Sequence, residues 1–354
     1  KVFCAGAALM LTTSLASAGG LDRSGLSISP LFEEGDYAEL SFGMVNPTVS
    51  GTVGGGTVSS GNMADSYVSL GAAYKTDIND RIAVALIWEE GFGAAVDYTN
   101  SDGLYPVPQF TAELSGTVLS AIAKYQVNDR FSVHGGLRYV TMSGTVDPAA
   151  VPGNPVEYEK SSDLGYAIGA SYEIPEIALR ATLTYNSATT HNNTINDPLA
   201  PAQAGGATET GEYELPQSVN LDFQTGIAQD TLLLASVRWA EWTTTSINTN
   251  TVGTIDYDND VYTYTLGVAR RFSDTWSGVA RVSYEKANGG LASNLAPTDG
   301  SIGLTLAGIY TMDDMTVTAG INYTKLGDAT AEGTNAEFSG NSAIGVGVSV
   351  GYNF

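Results

Sequence analysis

The chain has a single cysteine, Cys4, and it falls inside an apolar N-terminal leader. With the leader removed no thiol remains, so disulfides and cysteine-based metal sites are excluded. Cations are scarce as well: 15 Lys and Arg stand against 38 Asp and Glu, a formal net charge of -23. Phosphate backbones need a basic face, so nucleic acid is excluded as a partner. The acidic residues gather between apolar segments, as in Asp256, Asp258 and Asp260 or Glu209, Glu212 and Glu214, and read as solvated loops. No run of about 20 apolar residues occurs, which rules out crossing a membrane by helices. Histidine is limited to His134 and His191.

The leader has the parts of a secretory signal. Lys1-Val2-Phe3 opens an apolar run to Leu11, and Ala16-Ser17-Ala18 before Gly19 supplies a small-x-small cleavage site. Residues 1–18 are therefore expected to direct export and to be removed.

What the rest is rich in is strand chemistry. Charged residues make up only 15% of the chain, against about 25% in an average soluble protein, while Gly (41) and Tyr (19) abound. Six short polar turns punctuate the apolar runs: Asn79-Asp80, Asn128-Asp129, Pro175-Glu176, Gln229-Asp230, Ser273-Asp274 and Asp313-Asp314. Between them lie seven longer Gly/Asn/Pro/Thr-rich stretches, near 50–65, 91–109, 144–161, 187–212, 244–258, 287–300 and 327–339. Thirteen connections of alternating length join fourteen strands, the pattern of an all-β, antiparallel transmembrane barrel over 36–354 with both ends on the short-turn side.

Period-two alternation assigns the faces. The last strand sets Ile344, Val346, Val348, Val350 and Tyr352 against Gly345, Gly347, Ser349 and Gly351. The fifth sets Phe131, Val133, Leu137 and Tyr139 against Ser132, His134 and Arg138; the seventh opposes Leu183 and Tyr185 to Arg180, Thr182 and Thr184. Soluble sandwiches alternate too, so the leader, the strand count and the aromatics near strand ends (Tyr74, Tyr125, Phe131, Trp239, Phe272, Trp276) decide for a membrane barrel. The terminal aromatic Phe354, closing an amphipathic strand, resembles the signal by which a bacterial barrel assembly machinery recognises its clients.

Residues 19–35 are neither a clean strand nor a helix. They carry Arg23 and the apolar residues Leu21, Leu26, Ile28, Leu31 and Phe32. Two readings stand: a short plug folded into the barrel mouth, which the apolar residues favour, or a disordered tail.

In the order of its motifs the chain resembles the FadL family of outer-membrane transporters for long-chain fatty acids and related hydrophobic compounds. The motifs are Tyr37-Ala-Glu-Leu-Ser-Phe-Gly, Pro47-Thr-Val-Ser-Gly51, Glu214-Leu-Pro-Gln-Ser-Val219 and Arg238-Trp-Ala-Glu-Trp242. The likeness runs from the mature N-terminus to Phe354, but the N-terminal hatch is shorter than the family's and lacks its Asn-Pro-Ala. The resemblance implies passive passage of a hydrophobic ligand, with sideways release through a gap made by an inward kink of the third strand. The matching stretch is Glu90-Gly91-Phe92-Gly93-Ala94, where two glycines suit a kink; the same residues could equally begin the third strand's outer loop.

The alternation sends Arg138, Arg180, Arg238 and Arg281 into the lumen with Asp222 and Glu285. One of these arginines, or Arg23, could hold a ligand carboxylate; or they could pair with the lumenal acids as a wall network. Enzyme readings are poor. His134 and Ser132 lie about 7 Å apart along one strand, too far for activation, and His191 sits in an Asn/Thr stretch read as solvated. Asp256-Tyr-Asp258-Asn-Asp260 resembles the start of a calcium loop, but Val261 and Gly267 stand where Gly and Glu are required. No catalytic centre, cofactor or metal is expected. The expected surroundings are outer-membrane lipid and lipopolysaccharide, around a monomer that takes up fatty acid or hydrocarbon; the alternative is a general porin or structural barrel.

Overall fold

A period-two pattern is stable only where each face meets a different medium. The computed structural model, which describes residues 20–149, 153–198, 208–248 and 254–354, supplies those two media. The leader expected over 1–18 lies outside the described residues. The first seven barrel strands are β1 (Tyr37–Thr48), β2 (Tyr67–Asn79), β3 (Ile82–Asp97), β4 (Phe110–Asn128), β5 (Phe131–Pro148), β6 (Val156–Ile174) and β7 (Leu179–Asn186). The second seven are β8 (Ser218–Ala228), β9 (Thr231–Ala240), β10 (Val261–Arg271), β11 (Trp276–Glu285), β12 (Ser301–Met312), β13 (Met315–Leu326) and β14 (Ser342–Asn353).

Each strand pairs antiparallel with its sequence neighbour, and β14 closes onto β1 over twelve rungs from Tyr37↔Asn353 to Thr48↔Ser342. The Phe354 N–H donates to Asp36 O, which sews the two ends together at the short-turn end. All six expected short turns join consecutive barrel strands. Two share one mechanism: the Asn79 and Asn128 side-chain oxygens each accept the backbone N–H groups two and three residues on.

The outward face is the apolar one. Leu40 is 69% exposed, and Leu137, Leu164, Leu183, Leu266 and Ile321 all stand exposed on the outside. Inward positions carry Ser132, His134, Arg138, Thr182, Thr184, Arg281 and Ser283, all buried. A closed wall with every strand paired and an apolar exterior is the arrangement that lipid permits, so the chain is a transmembrane barrel. Aromatics collect at both ends of the outer face: Tyr166 against Tyr185 and Tyr264 against Tyr284 toward the long-loop end, Trp276 against Tyr310 and Tyr352 against Phe354 toward the short-turn end.

The long connections differ from the solvated loops expected. Strands β3, β5 and β6 run on beyond their sequence bounds, to Asp97, to Pro148 and from Val156, while β4 starts at Phe110 as expected. Segments 51–53, 58–59, 291–292, 329–331 and 337–338 form a separate five-stranded sheet at the long-loop end. A hairpin of Thr189–Asn196 and Thr208–Leu215 continues the wall beside β6 through Ile195↔Tyr158. His191 belongs to this hairpin, 0% exposed and stacked on Tyr213 at 5.7 Å, so its solvated reading is corrected. Its polar neighbours misled: Asn193 is buried as well, its side-chain amide donating to Glu159 O and Met142 O.

Candidate functional site

The interior is apolar toward the long-loop end. Val118, Val140, Met142, Phe92, Trp242 and Phe338 belong to one buried cluster that also takes in Leu21 and Leu26. A second cluster near the short-turn end joins Ile28 and Leu31 to Ala85, Ile87 and Ile122, with Phe32 packed against it. Residues 20–35 thus span both clusters, and four of the apolar residues singled out in the segment (Leu21, Leu26, Ile28, Leu31) are buried.

Strand β3 explains how the segment is held. Its pairing with β2 ends at Gly71↔Glu89, and its register against β4 slips between Glu89↔Val118 and Phe92↔Gly116. Two residues, Glu90 and Gly91, thus oppose Thr117 alone, which is a bulge. The extra residue reverses parity: Ala83, Ala85 and Ile87 are the buried positions before it, Phe92 and Val96 after it. Beyond Gly71, β2 no longer covers β3, and the N-terminal segment takes over the bare edge. Arg23 N–H donates to Gly91 O and Gly93 N–H to Leu21 O, both within 2.9 Å, bridging Asp22 to Phe92. Further along, Asp65 N–H donates to Ala95 O and Asp97 N–H to Met63 O.

The kink residues thus sit in a bulged strand and do not begin a loop. The reason for the glycines is close approach, since neither has a positive φ. A Cβ on Gly91 would lie 2.7 Å from Val118 Cγ2, and one on Gly93 2.6 Å from the Arg23 guanidinium.

The arginines divide by partner. Arg238 reaches across the lumen to Asp22, with Nη2–Oδ1 at 2.9 Å, and its Nη1 donates to Ser218 and Asn220. Asn220 in turn donates to Gly25 O at 2.7 Å. The wall network with Asp222 and Glu285 is therefore replaced, for Arg238, by a contact to the N-terminal segment. Arg180 lies 4.5 Å from the Phe32 ring and donates to Gln224; Lys124 lies over the same ring at 4.9 Å. Arg281 is buried within electrostatic reach of Asp222, and Arg138 within reach of Glu89. Arg23 stands over the Tyr67 ring at 4.3 Å and forms no ion pair among the described residues. Its Nε has no hydrogen-bond partner, and burial pulls its pKa below the usual guanidinium range against Tyr67, Glu90 and Glu113. In the same segment, burial pushes the Glu33 carboxyl up to about 7 against the pull of Arg180.

Sequence reasoning missed Asp22, Asn220 and Trp242. Trp242 is fully buried, edge-on to Phe92 at 6.3 Å and tilted on Tyr257 at 5.1 Å. Strand parity could not have placed it, because β9 ends at Ala240 and Trp242 opens a 3-10 turn over Trp242–Thr244. A cavity of about 100 Å³ remains beside the segment, bordered by Asp22, Arg23, Ser24, Arg238, Thr265 and Glu285. His134 faces inward as expected and contacts Thr184 Oγ1 at 3.1 Å and the edge of Phe32. Phe354 is exposed against Tyr352.

The closed fourteen-stranded wall has counterparts of known structure. A FadL homologue from Pseudomonas aeruginosa superposes with a TM-score of 0.76 at 16% identity, over 98% of both chains. The fold is FadL-like. The Pseudomonas putida toluene transporter TodX gives 0.65 at 15% identity over 98% of both chains. The Ralstonia pickettii toluene transporter TbuX gives 0.61 at 14%, over 97% of this chain and 98% of that one. No protein-family model and no curated protein matches the sequence. The FadL-like barrel agrees with these structures in fold from β1 to β14.

Proposed function

We propose that this FadL-like chain is an outer-membrane protein for the passive uptake of long-chain fatty acids or similar hydrophobic molecules. In this reading residues 1–18 are removed on export, 19–35 act as a short plug, and Phe354 serves as the assembly signal. The short-turn end then faces the periplasm. The observation that carries the proposal is the interrupted β2–β3 wall, where on the β2 side the backbone partner of Gly91 and Gly93 is the N-terminal segment and not β2. A ligand descending through the apolar cluster around Phe92 and Trp242 meets that segment at a place where moving it opens the wall sideways. Arg23, buried there without an ion pair among the described residues, is suited to an acid headgroup. A general porin would keep a water-filled lumen, and two apolar clusters speak against it.

The test is a lock. Asp22 and Phe92 are flanked by the hydrogen bonds of Arg23 and Gly93, which makes them the close kind of antiparallel pair, with Cα atoms about 4.5 Å apart, inside disulfide range. With Cys4 gone, a D22C/F92C variant has no other thiols. Uptake of labelled oleate and toluene is measured in cells lacking their own transporters. We expect background uptake when the variant is oxidised and recovery on reduction. Equal uptake in both states would refute sideways release. Failure of the folded wild-type barrel to take up either compound, with steady ion conductance, would favour the porin reading.

A further inference from the structure

The outer face of β10 to β13 carries a defect in its apolar surface. Register sets the rows: Arg270 pairs with Gly278, Gly278 with Gly308, and Gly308 with Ala319. Three adjacent strands thus present nothing larger than a methyl group at one level of the lipid-facing wall. The next row toward the barrel centre restores bulk with Leu306 and Ile321, and the next toward the short-turn end with Trp276 and Tyr310. Between these rows lies an open groove of about 810 Å³.

One end of the groove is closed by Phe272, whose ring would be 2.8 Å from a Cβ on Gly278. Arg270 borders the same groove, exposed on the outward face, its side chain without an ion pair or hydrogen bond among the described residues. A cation on a lipid-facing strand is costly unless it reaches the interface or an anion. Arg270 stands one row inside the Trp276–Tyr310 girdle, so its guanidinium can reach the level of lipid phosphates. The groove beside it offers no polar side chain, only glycine backbone and hydrocarbon.

We propose that this groove binds one glycerophospholipid from the leaflet at the short-turn end, its phosphate on Arg270 and one acyl chain across Gly278 and Gly308. The fork of a guanidinium suits a phosphate, and a flexible acyl chain fills a shallow apolar trough that rigid neighbouring side chains leave empty. A second barrel would need to bring an acidic side chain of its own to Arg270, whereas the lipid brings its charge to every copy. The site lies outside the barrel, far in sequence from the β2–β3 interruption, and does not depend on what the lumen carries.

The experiment is native mass spectrometry of the folded barrel, released from detergent after equilibration with phosphatidylglycerol. Two variants are compared: Gly308→Leu, which fills the floor at a position where a Cβ meets nothing within 4 Å, and Arg270→Gln. Leu164→Ala, exposed on β6, is the control, and heat-modifiable gel mobility verifies folding of each. We expect one tightly retained phospholipid per wild-type and control barrel, and at least a roughly tenfold loss of occupancy in both groove variants. Equal retention in all four proteins would overturn the proposal. So would a wild-type dimer that G308L dissolves without loss of lipid, which would make the groove an interface between copies.

Discussion

Replacing Asp22 by Asn should loosen the N-terminal segment from the barrel wall by a measurable amount. Asp22 and Arg238 are 12% and 13% exposed at the side chain, and three contacts of 2.9 to 3.3 Å join them. Asparagine retains the shape and one acceptor but removes the charge that Arg238 faces. Disrupting a largely buried, hydrogen-bonded pair from one side costs roughly 2–4 kcal/mol, because the surviving charge is left short of a partner. Ser218 and Asn220 still hold Arg238 Nη1, so the lower half of that range is the better guide. At about 1.4 kcal/mol per factor of ten, the segment should then leave its seat roughly 30- to 140-fold more often. The backbone N–H groups of Arg23 and Gly93 report this directly, since each is bonded across the segment–β3 contact. Hydrogen exchange at those two amides should speed up by that factor, while exchange at the Ser283↔Gly303 rung of β11 and β12 stays fixed. A D230N variant, which breaks the Asp230–Arg271 pair at the rim, should change neither amide. If D22N changed their exchange by less than about threefold, Arg238 would not be what holds the segment, and the reasoning from its geometry would fail.

Two pH dependences of opposite sign follow from groups outside the barrel strands. Glu33 is raised by burial from 4.5 to about 7, so the seated segment keeps a proton that the released segment gives up between those values. Seating is then strongest below about pH 4.5 and weakens up to about pH 7, by at most roughly 3 kcal/mol, and E33Q should flatten the profile of Arg23 amide exchange against pH. His191 is lowered by burial from 6.5 to about 4, so it stays neutral in the folded hairpin while the opened hairpin takes up a proton. Hairpin stability should therefore hold above about pH 6.5 and fall as pH drops toward 4; H191F, which keeps the stacking on Tyr213, should remove that fall in proteolysis of the 189–215 hairpin.

The strand faces were legible because lipid and lumen impose a strict period of two, and residues such as Leu137 and Arg138 report opposite media one position apart. The short turns were legible because Asn79 and Asn128 make their hydrogen bonds within three residues, where sequence neighbours suffice. Parity past Glu89 was not, since a bulge adds one residue without changing the composition of the strand. Nor was the seat of the N-terminal segment. Its apolar residues announced burial, but its anchors Arg238 and Asn220 are nearly two hundred residues or more away, at separations of 216 and 195. The hairpin around His191 was hidden for a related reason. Its Asn and Thr side chains are satisfied by backbone groups of strands that sequence alone does not bring near, as Asn193 is by Met142 and Glu159.

The bond from Asp22 to Arg238 also dictates an order of events in biogenesis. The first residues of the segment are made before any of the wall exists, yet their ionic partner arrives only with β9, and the curved sheet must roll up before the two can meet. Contacts this remote are slow to form, because a long loop must close before they repay its entropy. However early it is made, the segment therefore takes its seat on Arg238 only once β9 is in place.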